Sequence, residues 1–426
     1  MSPQPQTARP PKPKRPNPIS TAITKWLASL PQPTIDSITQ YLDASPGQSQ
    51  REDLARTLVL SAPKGWVVYH PLLLFPAGSF AGPAWDGVLG DEATVAALWV
   101  AVLREVGAAT GGEGRGLTHV GVNEGIPPAV ATGEGEGKED NVVRRPEGLR
   151  MLYGDFGPLV RGARPSERDF EEAFWVTTRQ NGIAQTWAPR YTMFSRGNVK
   201  EKARLLGFHH AREGEGERRR VREGWAVDLY AGIGYFAFSY AKMGMRVLCW
   251  EVNPWSVEAL RRGAGMNGWG VKVVQGSELE RDTGEVVFGG GGEERIVVFL
   301  EDNRRAGLRV EQLRGRRGAA DRGRREELDV VHVNCGLLPY STATWKDALA
   351  VVGPAAHGWL HLHENVGVAD IDSRQEEIDG IFDGWVGDEG RGREAVVEHV
   401  ERVKTYAPGV WHCVFDVHVT APKTET

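Results

Sequence analysis

From Gly224 onward, apolar runs of strand length alternate with helical stretches, and this alternation constrains the fold more than any other feature of the chain. GWAVDLY (224–230) reads as a strand, residues 235–243 as a helix and MRVLCWEV (245–252) as a second strand. SVEALRRGAGMNG (256–268) reads as a helix and VKVVQ (271–275) as the start of a third strand. RIVVFL (295–300), ELDVVHVN (327–334) and HGWLHLHENV (357–366) read as further strands. Strand, helix, strand at this spacing implies a parallel, doubly wound α/β sheet, whose ligands bind at the carboxyl ends of its strands. Residues 276–295 and 304–326 read as insertions or surface loops, and no internal repeat is visible.

The turn after the first strand narrows the choice of ligand. In VDLYAGIGYFA (227–237), Gly232 and Gly234 open a G-x-G-x-x-A pattern that ends at Ala237. Alone, such a pattern serves a nicotinamide or flavin nucleotide, or merely a tight packing turn. Asp228 stands directly before it, where a carboxylate repels a pyrophosphate but suits a cationic or amine-bearing ligand. Glu251 closes the second strand, in the position from which an acid accepts both ribose hydroxyls. Asp302 and Asn303 follow RIVVFL, and an Asp beside an amide can read the edge of adenine. Adenine, ribose and a cationic centre without phosphate describe S-adenosylmethionine, which these residues favour over a nicotinamide dinucleotide.

At 426 residues the chain exceeds one ordinary core, so two folded units are expected. Residues 1–18, MSPQPQTARPPKPKRPNP, form a proline-rich basic arm expected to be disordered, with no apolar core of the kind a secretory signal peptide has. Residues 19–147 form a smaller N-terminal α+β domain with an amphipathic helix at 91–107 and a Gly/Glu-rich loop at 110–140. Residues 148–223 are an intermediate segment, and 224–426 the ligand-binding domain. No run reaches the roughly 18–20 uninterrupted apolar residues of a spanning helix, so no membrane partner is expected. The three cysteines are far apart and form no CxxC pair, which speaks against a zinc knuckle, other metal site or disulfide framework and for a cytoplasmic protein.

The net charge of -5 argues superficially against a nucleic-acid partner. Much of the acid, however, lies in glycine-rich runs, TGEGEGKED (132–140) and REGEGER (212–218), that read as solvated loops. Between residues 179 and 212 the only acid is Glu201, against several Lys and Arg, with Trp187, Tyr191 and Phe194 interleaved. Basic side chains contact phosphates and aromatic rings stack on unpaired bases, so this segment is expected to contact RNA. Arg304, Arg305, Arg309, Arg314, Arg316 and Arg317 extend that surface in the same reading.

RYTMFSRGNVKEKAR (190–204) carries a narrower resemblance. Together with DLYAGIGYF, EVNP (251–254), EDNRR (301–305), VNCGLLPYS (333–341) and HLHENV (361–366), it resembles the tRNA wybutosine-synthesising protein 2 family, over about 148–420. The resemblance implies a Rossmann-like class I methyltransferase fold. It also implies transfer of the 3-amino-3-carboxypropyl group of S-adenosylmethionine to the 4-demethylwyosine base beside the anticodon of tRNA(Phe), with release of 5′-methylthioadenosine. Carried over by position, the donor-binding set is Ser195, Lys202, Glu251, Asp302 and Asn303, to which the residue chemistry adds Asp228, Gly232 and Gly234. In that set Lys202 neutralises the donor carboxylate and Ser195 hydrogen-bonds it.

Two other functions stay open at this level: methyl transfer to guanine N1, by relatives that share the glycine and EVNP-like motifs, and tRNA binding without catalysis. The run Asn334–Pro339 favours aminocarboxypropyl transfer over the first, and the intact acid set argues against the second. A carbon acceptor must lose a proton, for which His363 and Glu364 are candidate bases. His332, His361 and His363 nevertheless alternate along strands in the manner of packed core histidines.

Overall fold

A computed structural model describes residues 16–40, 50–111, 116–123, 129–131, 138–140, 146, 148–160, 164–209, 214–289, 294–315, 328–353, 357–390 and 392–422. The chain divides into two compact units, Met1–Glu139 with Pro146–Gly157, and Asp140–Arg145 with Pro158–Thr426. The proline-rich arm up to residue 15, residues 112–115, 124–128 and 132–137, Arg316 and Arg317 lie outside the described residues. The rest of the expected 110–140 loop is not all loop, since His119–Val122 is a strand of a sheet.

The first unit sets helices α1 (Pro18–Ser29), α2 (Gln32–Thr39), α3 (Gln50–Ser61), α4 (Pro83–Leu89) and α5 (Glu92–Thr110) around one core. Its main sheet runs β1 (Val67–Tyr69), β2 (Leu72–Phe75), β3 (His119–Val122) and, after the short pair β4 (Ala129–Ala131) and β5 (Lys138–Asp140), β6 (Arg150–Tyr153). Asn17 starts α1 by accepting from the Ile19 amide at 2.8 Å, with Pro18 preset at the first helical position. Helix α5 is long and apolar enough to span a bilayer, yet Leu98, Trp99, Val102 and Val106 are buried with Phe75 and Phe80. Its apolar face is thus occupied within this unit.

The second unit opens with α6 (Glu167–Glu172), the hairpin β7 (Val176–Gln180) and β8 (Ile183–Trp187), α7 (Val199–Leu206) and α8 (Glu215–Glu223). The alternating part follows as β9 (Trp225–Asp228), α9 (Ala237–Lys242), β10 (Arg246–Glu251), α10 (Pro254–Met266), β11 (Val271–Val274), α11 (Thr283–Phe288) and β12 (Ile296–Leu300). It continues through α12 (Ala306–Gly315), β13 (Val330–Cys335), α13 (Trp345–Val352), β14 (Gly358–Gly367), α14 (Ile371–Asp388), β15 (Ala395–Ala407) and β16 (Val410–Val419).

Eight strands form one sheet in the order β11-β12-β10-β9-β13-β14-β16-β15. The strands β9 to β14 are parallel, and β16 runs antiparallel to both of its neighbours. The chain passes from β9 to β10 and on to the edge strand β11, turns back to place β12 between them, then crosses to β13 on the other side of β9. That reversal places a topological switch point over the carboxyl end of β9, the general ligand position of open α/β sheets. Apolar residues from both faces, such as Trp250, Phe299, Leu360 and Phe415 on one and Val247, Cys249 and Val298 on the other, bury the sheet on two sides.

Three expectations for the second unit are corrected, and one hairpin is added. The described residues of 276–295 are not all surface loop: α11 buries Val286 and Val287 and lies on the crossover from edge strand β11 to β12. The described half of 304–326 is helix α12, with Arg309, Val310 and Leu313 buried. Residues 215–218 of the REGEGER run open helix α8, whose Val221 is buried and whose Arg220 bonds Asp329 at 2.7 Å. The C-terminal hairpin β15–β16, which extends the sheet, has no counterpart in the strand reading.

Candidate active site

The chain leaves β9 at Asp228 and turns sharply before α9. Gly232 and Gly234 take φ of 54° and 86° within that turn, a region that L side chains rarely enter. Space is as restrictive as angle. A Cβ on Gly234 would stand 2.5 Å from the Phe238 ring, and one on Gly232 would stand 2.9 Å from the Tyr235 ring.

Asp228 is fully buried at the end of β9, paired in register with Asn334 of β13. Its Oδ1 accepts from Asn334 Nδ2 at 3.0 Å and from the Tyr230 amide at 3.3 Å. Its Oδ2 and Asn334 Oδ1 are buried with no hydrogen-bond partner among the described residues. Burial pushes the Asp228 carboxyl up to about 6, against the opposing pull of the Asn334 side chain and the Tyr230 and Ala237 amides. No cation among the described residues compensates it.

Glu251, partly exposed at the end of β10, is braced by backbone alone. Oε2 accepts from the Gly232 amide at 2.8 Å, and Oε1 from the Val252 and Asn253 amides at 2.9 and 2.8 Å. Burial raises its pKa while the Asn253, Gly232 and Val252 amides oppose the rise. The acid therefore holds the glycine turn and its own strand end in one fixed relation. Asn303, just past β12, donates to the Leu229 carbonyl at 2.8 Å and so ties a third strand end to the same turn. Asp302 caps the short turn 303–305 through the Arg304 amide at 2.9 Å and is exposed.

Ser195 and Lys202 reach this turn through Tyr235. The Ser195 amide donates to the Tyr235 hydroxyl at 3.3 Å, and that hydroxyl donates to the Met193 carbonyl. Lys202, on α7, is buried with its ammonium 4.9 Å from the Phe194 ring centre and 5.9 Å from that of Tyr235. Its Nζ donates to Gln185 Oε1 at 2.7 Å, and burial alone pulls its pKa down to about 7. Lys404 of β15 donates to Ser195 Oγ at 3.1 Å. Gln185, Tyr235 and Lys404 were not singled out as site residues from the sequence. No local motif marks Lys404, because it comes from an antiparallel hairpin at the far end of the chain.

The candidate bases stand as follows. His363 is buried, its Nδ1 sharing a proton with His412 Nε2 at 2.9 Å, while His363 Nε2 has no partner among the described residues. Burial holds His363 well below the usual histidine range and His412 down to about 4, so the pair is neutral at physiological pH. Glu364 is engaged by Arg374 through two bonds of 2.8 and 2.9 Å. His332 and His361 are buried core residues as expected. They join His209 and Asp416 in a row of side-chain bonds of 2.7, 2.9 and 2.7 Å.

The expected RNA-stacking aromatics are corrected: Trp187, Tyr191 and Phe194 are all buried. Tyr191 stacks on Trp255 at 3.7 Å and Trp187 on Phe194 at 4.7 Å, so these rings are core. Arg309 is buried against Glu301, which removes it from any RNA surface, while the partly exposed Arg314 bonds the Ala350 and Val351 carbonyls. Arg179, Arg196, Lys200, Arg304 and Arg305 remain exposed.

No family model matches the chain. It is 39% identical over 360 residues to tRNA wybutosine-synthesizing protein 2 of Schizosaccharomyces pombe, covering 83% of this chain and 72% of that protein. It is 32% identical over 324 residues to the protein of the same name from Saccharomyces cerevisiae, covering 71% of this chain and 60% of that one. Among solved structures, P. horikoshii TYW2 in complex with MeSAdo superposes with a TM-score of 0.50 at 19% identity, over 91% of this chain and 98% of that one. Trm5b of Pyrococcus abyssi does so with a TM-score of 0.50 at 15% identity, over 86% and 78%. These two share the fold. With a glycine turn flanked by strand-end acids, and with relatives at this identity, the chain belongs to the tRNA wybutosine-synthesizing protein 2 family.

Proposed function

We propose that this protein moves the 3-amino-3-carboxypropyl group of S-adenosylmethionine to the 4-demethylwyosine base beside the anticodon of tRNA(Phe), releasing 5′-methylthioadenosine. The observation that carries the reading is Asp228: a buried carboxylate with an unpartnered oxygen, beside a turn where only glycine fits. A buried carboxylate without a counter-ion attracts a cation and repels a phosphate, so the residues present suit a sulfonium nucleoside that carries an amine.

The donor supplies a sulfonium whose attached carbons are all electrophilic, and position decides which one is attacked. In this reading Asp228 and the Gly232–Gly234 turn hold the cationic end, Glu251 accepts the ribose hydroxyls, and Asp302 with Asn303 frames the adenine. Ser195 and Lys202 hold the carboxylate. Fixing that chain presents its terminal methylene, in place of the methyl, to the acceptor carbon. Alignment of this kind can supply about 7–11 kcal/mol of a barrier. Arg196 and Lys200, which follow Ser195 in the chain and are exposed, are suited to the phosphates of an anticodon loop whose target base is splayed out. Three free, buried cysteines fit a reducing compartment such as the cytoplasm.

The test supplies carboxyl-labelled and methyl-labelled donor in parallel to tRNA bearing the tricyclic precursor. Carboxyl label entering RNA supports the proposal. Methyl label alone makes the protein a methyltransferase. Tight tRNA binding with neither label makes it a binding protein.

A further inference from the structure

The Ser195 segment is flanked by two ammonium groups with no carboxylate partner. Lys202 has Gln185 Oε1, and Lys404 has Ser195 Oγ; among the described residues neither forms an ion pair. A lysine drawn partly out of water normally gains an acid in exchange. Lys404 is half-buried and gains only a neutral hydroxyl.

Its path is also shaped. Gly197 has no positive φ, so the backbone does not demand glycine there. A Cβ at that position would stand 2.4 Å from Lys404 Cδ and 2.9 Å from Nζ. The glycine of the Ser195-Arg196-Gly197-Asn198 run thus serves as clearance for the stem of a lysine more than two hundred residues away. In register, Lys404 pairs with His412, whose neutral ring bonds His363. That neighbour therefore adds no negative charge.

We propose that Lys404 is a further donor-binding residue: laid across Gly197 against Ser195, it completes with Lys202 a two-cation clamp for the carboxylate of the aminocarboxypropyl group. This rests on the function proposed above and assigns the part of it that separates aminocarboxypropyl from methyl transfer. A methyl donor needs its sulfonium placed, whereas an aminocarboxypropyl donor needs the far end of its chain held.

The probes are S-adenosylmethionine, its decarboxylated form and 5′-methylthioadenosine, titrated calorimetrically into the full chain. Wild type is expected to bind S-adenosylmethionine more tightly than the decarboxylated form. In Lys404→Met, which keeps the stem, affinity for S-adenosylmethionine is expected to fall about 10- to 100-fold, the range for a charge-assisted hydrogen bond. Affinity for the other two is expected to stay within about twofold. Lys404→Arg is expected to restore part of the loss, and Gly197→Ala to reproduce it by displacing the stem.

Equal losses for all three probes would make Lys404 a structural residue and overturn the proposal. So would an unchanged S-adenosylmethionine affinity accompanied by weaker tRNA binding, which would mark a phosphate contact. Failure of wild type to bind any of the three would instead defeat the functional reading itself.

Discussion

Asn334 donates its amide to Asp228 at 3.0 Å across adjacent parallel strands, and each side chain keeps one buried oxygen with no partner among the described residues. The contact fixes the carboxylate without neutralising it, and that decides how donor binding responds to pH. Binding a cation favours the ionised carboxylate, so the donor-bound pKa of Asp228 falls below its free value of about 6. Affinity is therefore full above pH 6 and declines as pH drops through it, by at most about tenfold per unit. Binding a carboxylate favours charged Lys202, whose free pKa is about 7, so this contribution is full below pH 7 and is lost as pH rises. Calorimetric titration from pH 5 to 8.5 should show both limbs. Asp228→Asn removes the acidic limb. The amine of the donor also titrates near 8, so the Lys202 limb is read as the difference between wild type and Lys202→Met.

Glu251 accepts three backbone amides, and an amide side chain cannot reproduce that pattern. In Glu251→Gln, the new NH2 group must face either the Gly232 N–H or those of Val252 and Asn253. Loss of about 1–3 kcal/mol is expected in donor binding, roughly 5- to 150-fold in Kd. A lower urea midpoint is expected beside it. An unchanged Kd would remove Glu251 from the site.

Gly234→Ala combines a φ of 86° with a Cβ 2.5 Å from the Phe238 ring. Strain and overpacking each cost about 1–3 kcal/mol. The variant should unfold at a clearly lower urea concentration and bind donor weakly. Wild-type stability would show that the turn can relax.

The exposed Arg196 and Lys200 predict a complementary phenotype. Replacing both with alanine should weaken tRNA binding across sequences and reduce the slope of log K against log salt by about 2. Donor affinity should be unaltered. A salt slope equal to that of wild type would place the tRNA elsewhere.

Arg309→Ala should instead damage the fold. Its guanidinium is buried against Glu301, and breaking such a pair from one side costs about 3–5 kcal/mol. Thermal unfolding should report the loss. A stable variant with impaired tRNA binding would return Arg309 to the RNA surface.

The strands from β9 to β14 were legible because parallel strands buried on both faces read as continuous apolar runs, and their acids fall where those runs end. The glycine turn was legible because both positive-φ positions require the residue the sequence shows. Helix α11 was not, since six residues that bury Val286 and Val287 are too short to display a helical period, and a glycine run follows them. The aromatics near Ser195 misled because interleaving with basic residues marks a stacking surface and a core equally well. Only burial separates the two: Tyr191 found Trp255, and Trp187 found Phe194. Lys404 was invisible for a different reason, its role being set by a hairpin register and by the clearance at Gly197.

The position of β16, threaded between β14 and β15, reaches into how the molecule is made. Of the eight strands of this sheet β16 is the last in chain order, yet it lies inside the sheet and comes on the same hairpin as Lys404. A nascent chain lacking it presents the long, unpaired edge of β14, a ready template for aberrant pairing. A chain cut before β16 is therefore open to edge-to-edge aggregation and at the same time lacks the hairpin that carries Lys404.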